Sequence, residues 1–366
     1  MDSNWKSLVL FITFRCAAGS DQENIFALDL FKQVFIQDNS KNFVLSPPII
    51  RASLSLLYLT ANWNAAYEIQ EALQLPQDKS ETAVIVKNYL TNFNKNRDRL
   101  PVNAQIYRDP NELSPSLLDL INNYMEPEVS LAAFGENPNT IVSILPKTNH
   151  MPNYILLVTT LFNLTVAWKT PFNPLDGRAG VFKFSGGYYQ ANYMKKTARF
   201  GILKLEALTA LEIPYDTHSA LSMIFVMPND EDTPLSTLVQ NFSLATYQTI
   251  DARLQQRFVD VAIPRFTVDS NVQLGMSLAR LGIVSSYLAN AFDFYRYRGS
   301  GLGPIEHVGS IRVLEGGTVE AENAPKEAVP PALLPTFRAD RPFLYLVRNT
   351  TSKDILIIGH YSHLNS

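Results

Sequence analysis

The order in which two hydrophobic periodicities follow one another restricts the fold of this chain more than any other feature. Apolar side chains first recur at helical spacing, which predicts one amphipathic helix over residues 24–37 and two more over residues 50–75. From Ile155 onward the pattern is that of strands, interrupted by a predicted helix over Val272–Leu281. Helices first and strands later predict an α+β domain with antiparallel or mixed sheets.

The predicted strands end in a hairpin. Its two strands cover Phe343–Val347 and Ile355–Gly359, and a polar turn through Asn349–Lys353 joins them. The pattern also predicts earlier strands, at Leu156–Trp168, Ala210–Tyr215, Ala220–Met227, Phe258–Phe266 and Arg312–Leu314.

Composition excludes several classes of function. A chain of 366 residues with 46% hydrophobic and 18% charged residues can bury a sizeable core. Its net charge of −3 creates no basic field for nucleic acid. The five histidines do not have metal-ligand spacing, and no Gly-x-Ser-x-Gly elbow supports a hydrolase. We therefore expect no metal, no cofactor and no enzymatic activity.

The N-terminus has the layout of an export signal. Lys6 precedes a short apolar run over residues 8–14, and the small residues at 16–19 supply a cleavage site. We predict a signal peptide over residues 1–19, a single mature domain over 20–366 and a secreted, extracellular protein. Arg15 favours the alternative, a buried N-terminal helix. Cys16 is the only cysteine, so the mature domain would contain no disulfide.

Three Asn-x-Ser/Thr sequons agree with secretion and are predicted glycosylation sites, at Asn163, Asn241 and Asn349. Outside the N-terminal segment, no uncharged apolar run reaches the length that spans a membrane. We expect no membrane partner and a monomeric protein.

Five segments, in this order, resemble the serpin family. They are "NFVLSPPIIRASLSLLYLTA", "AWKTPFNP", "VDVAIPRFTVDSNVQLGMSLARLGI", "HVGSIRVLEGGT" and "FRADRPFLYLVRNTTSKDILIIGHY", at residues 42–61, 167–174, 259–283, 307–318 and 337–361. The last segment is the most specific, and Trp168 in the second marks the top of the main sheet in the family pattern. The resemblance covers roughly residues 24–362. It indicates an atypical, invertebrate-like secreted member.

The resemblance implies a fold of three β-sheets and about seven to eight helices with an exposed reactive loop. Here that loop corresponds to residues 317–337. Inhibitory members offer it to a serine protease as bait, and after acylation the first half of the loop inserts into the main sheet as a new strand. The implied function is inhibition of an extracellular serine endopeptidase from a metastable native state.

Insertion requires a flexible hinge, no proline and small or apolar side chains on the buried face. Gly317 provides the hinge. In the family's register four side chains would face inward on insertion: Thr318, Glu320, Glu322 and Ala324. The two carboxylates would lie about 7 Å apart, would repel each other and would cost several kcal/mol to bury. Pro325 removes a backbone donor from the same strand. These residues predict weak or lost trapping.

The bait position is also unusual. By family spacing the reactive bond is Pro331-Ala332, and most serine proteases disfavour proline on that side of the cut bond. Leu333 and Leu334 are alternative baits for a chymotrypsin-like enzyme.

Two further departures concern the main sheet. The family places a long helix between the strands that end near Phe134 and begin near Ile155, but the prolines and short length of this segment predict that the helix is missing. The family's polar latch beneath the sheet keeps Ser46 and His307. Ile49 and Thr160 replace its second serine and its asparagine.

Two functions follow from these residues. The first is a serpin-type protease inhibitor, supported by the whole-chain resemblance, the hinge and the loop length. The alternative is a non-inhibitory binding, carrier or signalling protein with an unknown protein or small-ligand partner, supported by the loop and the missing helix.

Overall fold

The computed structural model describes residues 5–95, 102–108, 132–133, 156–164, 166–216, 219–288, 291, 302–318 and 333–363. Within these residues seven α-helices are found: α1 (Trp5–Gln37), α2 (Pro47–Thr60), α3 (Trp63–Leu73), α4 (Lys79–Lys95), α5 (Leu235–Asn241), α6 (Leu244–Arg253) and α7 (Gly275–Arg280). The first strands are β1 (Phe43–Leu45), β2 (Val102–Arg108), β3 (Ala132–Ala133), β4 (Leu156–Asn163), β5 (Arg178–Phe184), β6 (Gly187–Lys204) and β7 (Leu208–Pro214). They continue with β8 (Leu221–Pro228), β9 (Gln255–Pro264), β10 (Phe266–Gln273), β11 (Leu302–Val313), β12 (Thr336–Arg338), β13 (Phe343–Asn349) and β14 (Ile355–Tyr361).

The early helices follow from their apolar spacing. Helix α1 ends at Gln37, where the predicted helix ends, but begins at Trp5 and so runs through the predicted signal cleavage site. The pair predicted over residues 50–75 is α2 and α3. Helix α3 buries one stripe of side chains and ends where Gln74 turns into the left-handed region at φ 50°. None of the described helices combines the length and apolar character that crossing a bilayer requires.

The larger sheet has the strand order β1-β14-β13-β8-β7-β6-β9-β12, and β5 pairs separately with β6. The described strands form two hydrogen-bonded sheets where the family resemblance implies three. The reason is the 18-residue strand β6. It pairs with β5 near its start, with β7 over Gly201–Lys204 and with β9 along most of its length, which joins two groups of strands into one ladder.

The predicted C-terminal hairpin is present as β13 and β14. The two strands pair antiparallel, with Leu344 opposite His360 and Leu346 opposite Ile358. Strand β14 also pairs with β1 on its other side, so it lies inside the sheet and almost all its side chains are buried. This hairpin forms two interior strands of the larger sheet, next to the edge strand β1.

A histidine lies within this apolar core. The ring of His360 is fully buried against three phenylalanine rings, with centroid distances of 6.5, 5.0 and 4.7 Å to Phe31, Phe35 and Phe43. Its Nδ1 lies 2.9 Å from Ser362 Oγ. Burial lowers the pKa of His360 to about 3, so the ring is neutral at physiological pH.

The smaller sheet has the order β10-β11-β4-β2-β3. Strands β2 and β4 pair antiparallel, with Val102 opposite Phe162, and β2 pairs parallel with β3. The strand predicted over Leu156–Trp168 ends at Asn163. The helix predicted over Val272–Leu281 begins only at Gly275, because the residues before it belong to β10.

The chain forms two compact units. One comprises Met1–Pro47, Leu164–Ser270 and Gly309–Ser366 and contains the larger sheet. The other comprises Pro48–Asn163 and Asn271–Val308 and contains α2–α4 and β2–β4. The segment in which a long helix is predicted to be missing lies outside the described residues.

Candidate functional site

The predicted hinge is paired with the segment that follows β4. Trp168 N donates to Gly316 O at 2.7 Å, and Thr318 N donates to Val166 O at 2.9 Å. Ala167 and Gly317 are antiparallel partners between these two bonds. The hinge is therefore held by an isolated antiparallel bridge before the chain continues into the predicted reactive loop.

Gly317 is required by both conformation and space. Its φ is +126°, in the region that disfavours every residue with a side chain. A tight turn holds it there, since Gly317 N donates to Leu314 O at 3.1 Å and Leu314 N donates to Gly317 O at 2.7 Å. A Cβ added at this position would lie 2.4 Å from Val166 O and 2.8 Å from Trp168 N. Both neighbours are backbone atoms, so no side chain fits at this position unless the backbone of Gly317 or of residues 166–168 moves.

Thr318 is the last residue of the hinge that the structure describes. Only 8% of it is exposed. Its Oγ1 accepts from Val166 N at 2.7 Å and donates to Val166 O at 3.1 Å, so the hydroxyl is satisfied in its buried position. This is the first of the positions predicted to face inward. The remaining hinge positions and the predicted reactive bond lie outside the described residues: Glu320, Glu322, Ala324, Pro325, Pro331 and Ala332.

Trp168 contacts both the hinge turn and the core of the larger sheet. Its Nε1 donates to Leu314 O at 2.9 Å, and its ring stacks on Tyr215 with centroids 4.4 Å apart and planes inclined by 9°. Tyr215 is buried, which raises the pKa of its phenol above the usual value. The predicted sheet-top residue thus connects the hinge turn with the core of the larger sheet.

One polar residue of the hinge support is absent from the predicted set. Glu315 is buried, and its carboxylate lies 3.3 Å from Arg265 Nε, while its backbone oxygen accepts from Phe172 N at 2.8 Å. The arginine of the Ile-Pro-Arg-Phe segment and the glutamate before the hinge glycines are 50 residues apart. The sequence contains one weak signal for this pair, which is that each is a charged residue beside an apolar strand segment.

The far end of the loop returns along the edge of the larger sheet. Leu333 is fully exposed and Leu334 is half-buried. Pro335 O accepts from Asp260 N at 3.0 Å, and β12 then pairs parallel with β9. Of the two alternative baits, Leu333 has the more accessible side chain.

The structure places the predicted latch residues on separate elements. Ser46 Oγ donates to Leu356 O at 2.9 Å, so its partner lies on the closing strand β14. His307 is fully buried in β11, and burial lowers its pKa to about 3. Ile49 is buried in α2, and Thr160 lies in β4, where only the backbone is described.

The sequons differ in their surroundings. Asn241 is exposed at the end of α5, and Ser243 of the same sequon caps α6 through its bond with Thr246 N. Asn349 is half-buried, and its Oδ1 accepts from the backbone N of Thr351 and of Ser352 at 2.8 and 3.1 Å. Asn163 is the last residue of β4. Across the part of the chain that the structure describes, no group of three or more metal-ligating side chains is found.

A buried ionic cluster was not predicted from the sequence. The Arg348 side chain is 4% exposed, and its Nη2 lies 2.7 Å from Glu212 Oε1. Its Nη1 pairs with Asp251 of α6, which also binds Lys353 Nζ at 2.9 Å. The cluster fixes helix α6 against the larger sheet. Because the guanidinium contacts both carboxylates, neither is left as an uncompensated charge.

The hinge, its supporting tryptophan and the closing hairpin together match the pattern that the resemblance predicts. A family model described as "Serpin (serine protease inhibitor)" matches residues 21–364. The chain belongs to the serpin family. This serpin is 24% identical to a probable serpin E3 of Danio rerio, over 93% of the chain and 91% of that protein.

Solved structures agree with this serpin in fold. SRPN18 from Anopheles gambiae superposes with a TM-score of 0.84 at 19% identity, covering 96% of this chain and 99% of that one. Human thyroxine-binding globulin superposes with a TM-score of 0.79 at 20% identity, covering 96% of this chain and 100% of that one. Identities this low show the fold alone, and the predicted α+β serpin fold is confirmed.

Proposed function

We propose that this serpin is secreted, presents residues 317–337 as bait to an extracellular serine protease, and traps that protease weakly or not at all. As an inhibitor it needs no catalytic group of its own. The observation that carries the proposal is the buried, hydrogen-bonded side chain of Thr318 at the start of the loop.

Thr318 sets the register of any strand that extends from the hinge. Because side chains alternate along a strand, residues two and four further on would face the same side as Thr318. These residues are Glu320 and Glu322. Each would have to be buried as a carboxylate or protonated, at a cost of several kcal/mol. Thr318 can therefore enter the sheet, whereas continued insertion is opposed from the next inward position.

The accessible end of the loop supports contact with a protease. Leu333 is fully exposed and lies three residues before β12. A chymotrypsin-like enzyme prefers a large apolar side chain at the cut bond, and Leu333 offers one next to the predicted Pro331-Ala332 bond. Cleavage without trapping would make this serpin a substrate or a reversible binder of its protease.

Secretion is part of the proposal. The layout of residues 1–19 and the exposed position of Asn241 support it, because a glycosylation site must be accessible in the folded protein. The alternative function is a non-inhibitory carrier or binding protein. The opposed hinge supports that alternative, and thyroxine-binding globulin, whose structure was solved in complex with thyroxine, has the same fold.

Cleavage of the loop tests whether trapping is lost. A promiscuous protease cuts the loop, and the melting temperature is compared before and after cutting. We expect a change within about 2 °C, the shift that less than about 1 kcal/mol produces in a large domain. A large increase would show that the cut loop inserts, and would refute the loss of trapping.

A matched variant makes the comparison sharper. Glu320→Thr, Glu322→Ala and Pro325→Ala together remove the two charges and the proline and leave the rest of the loop intact. We expect this variant to gain thermal stability on cleavage and to form a covalent complex on a denaturing gel with chymotrypsin-like or elastase-like enzymes. If the unaltered protein is cut by no member of a broad serine protease panel, the bait role is wrong.

A further inference from the structure

One face of the larger sheet, beside the end of the reactive loop, carries an excess of positive charge. Strand pairing places residues of β6, β9 and β12 in rows on this face: Lys195 with Ala262 and Arg338, Thr197 with Asp260 and Thr336, and Arg199 with Phe258. The opposite face of the same strands is buried core, formed by Ala198, Phe200, Val259, Val261 and Phe337. We call these eight residues the cationic face; all of them are exposed or half-buried except the small Ala262, which is 3% exposed.

The charges of the cationic face are only partly compensated. Arg338 Nη2 binds Asp260 Oδ2 at 2.6 Å, and these side chains are 46% and 35% exposed. Arg199 lies over the ring of Phe258, 5.1 Å from its centroid, which holds the guanidinium on the surface. Within the described residues neither Lys195 nor Arg199 has a carboxylate partner. Three cations and one carboxylate leave two net positive charges, on a chain whose total charge is −3.

These charges lie close together. Neighbouring strands are about 4.8 Å apart and alternate residues of one strand about 6.6 Å apart, so the backbone positions of the three cations fall within about 16 Å. The next carboxylate along the chain from β12, Asp340, is bound to Arg341 at 2.7 Å and does not cancel them. A local field of one sign attracts an oppositely charged surface during diffusion.

The position of the cationic face determines which part of a bound protein would contact it. Leu333 and Arg338 are five residues apart, so the chain between them spans at most about 18 Å. A globular protein that engages the loop at Leu333 is wider than this distance. Its surface beside the active site would therefore stand over β12, β9 and β6.

We propose that the cationic face is a docking surface for an acidic patch on the protease that engages the loop, and that it steers such enzymes to the bait. This inference rests on the proposed bait function and adds the chemistry of the preferred target. The attraction acts on the association rate and weakens with salt, because the charges are exposed.

The test uses chymotrypsin and chymotrypsin whose lysines have been succinylated, which differ in surface charge and share one active site. The rate of cutting at Leu333 or Leu334 is measured for the full-length serpin and for Lys195→Glu/Arg199→Glu. The control is Lys204→Glu/Arg253→Glu, which makes the same charge change at the last residue of β6 and the last residue of α6. Both variants are first checked for an unchanged melting temperature.

We expect the Lys195/Arg199 variant to be cut about 10-fold more slowly by the succinylated enzyme at 20 mM salt, and less than about 2-fold more slowly at 0.5 M. The unmodified enzyme should cut it as fast as the original or faster. The control should stay within about 2-fold with both enzymes. Equal slowing with both enzymes, or the same slowing in the control, would overturn the proposal.

Four further outcomes are decisive. If the variant loses affinity for a heparin column while its cutting rates stay unchanged, the face binds sulfated glycans and the protease proposal is wrong. A selective rate effect without a covalent complex would support steering and count against inhibition, whereas a complex without the rate effect would do the reverse. A loop that neither enzyme cuts would overturn both proposals.

Discussion

Replacing Gly317 by alanine tests whether the hinge is held as described. The substitution adds one methyl group at a residue with φ +126°, and that methyl would lie 2.4 Å from Val166 O. Ordinary van der Waals contact needs about 3.4 Å or more, so the hinge or the segment at 166–168 must move by about 1 Å. The hinge is the freer of the two, because it leads into the loop.

The size of the effect follows from the contacts that would be lost. A residue with a side chain costs about 1–3 kcal/mol in this backbone region. Release of the hinge gives up three hydrogen bonds made by Trp168 N, Val166 N and Thr318 N, at about 1 kcal/mol each. The substituted hinge can either stay in place with a strained backbone and a clash or be released and lose these hydrogen bonds. Because release limits the cost, the free energy of unfolding should fall by about 3 kcal/mol.

Gly187→Ala is the matched control. Gly187 has φ +136°, but a Cβ there would meet nothing within 4 Å. It therefore carries the conformational cost without the clash, and should lower stability by about 1 kcal/mol. Melting temperatures compare the two variants, and amide hydrogen exchange at Val166, Trp168 and Thr318 reports whether the hinge is released.

One combination of results would show that the hinge is not held in this way. If Gly317→Ala lowers the melting temperature no more than Gly187→Ala and the three hinge amides stay protected, the clash with the backbone is not real. Loss of protection at Thr318 alone would mean that the turn survives and only the last residue is released.

Three other perturbations have defined outcomes. His307 and His360 are buried with pKa values of about 3, below the unfolded value of 6.5, so between these values the unfolded chain binds more protons. Stability should fall by about 1.4 kcal/mol per pH unit for each histidine as pH drops below 6.5, and not above it, in urea titrations; a flat profile from pH 7 to 4.5 would contradict this. Arg348→Ala leaves Glu212 buried and unpaired and should cost about 3–5 kcal/mol in the same assay, more than an exposed arginine would. Trp168→Phe removes one donor and should cost about 1–2 kcal/mol, whereas no loss would mean that its hydrogen bond contributes nothing.

Local patterns in the sequence were enough to predict several elements. The two apolar runs at 343–347 and 355–359, with polar residues between them, predicted the hairpin because alternation and turn chemistry act over neighbouring residues. Helix α1 ends at Gln37 for the same kind of reason, where the apolar periodicity stops. The hinge was predicted from the family resemblance, and the φ of +126° at Gly317 gives the physical reason for a glycine there.

Features that depend on distant residues could not be predicted in this way. Nothing near Arg348 indicates that its partners are Glu212 and Asp251, which lie 136 and 97 residues away. The same holds for β6, whose three pairing partners come from both sides of it in the chain. Helix α4 is a different case, because no helix was predicted there although Ala83, Val86, Leu90 and Phe93 recur at helical spacing.

The position of β14 between β1 and β13 affects when the larger sheet can form. Strand β1, near the start of the chain, pairs in the larger sheet with β14, whose residues are synthesised more than 300 positions later. Asn24 and Asn42 likewise hold their side chains against backbone groups of residues 355–363. Until Ile355–Tyr361 have left the ribosome, β1 has no partner and β13 lacks one neighbour. The early strand β1 must therefore remain unpaired until these residues have been synthesised, which exposes its edge to aggregation.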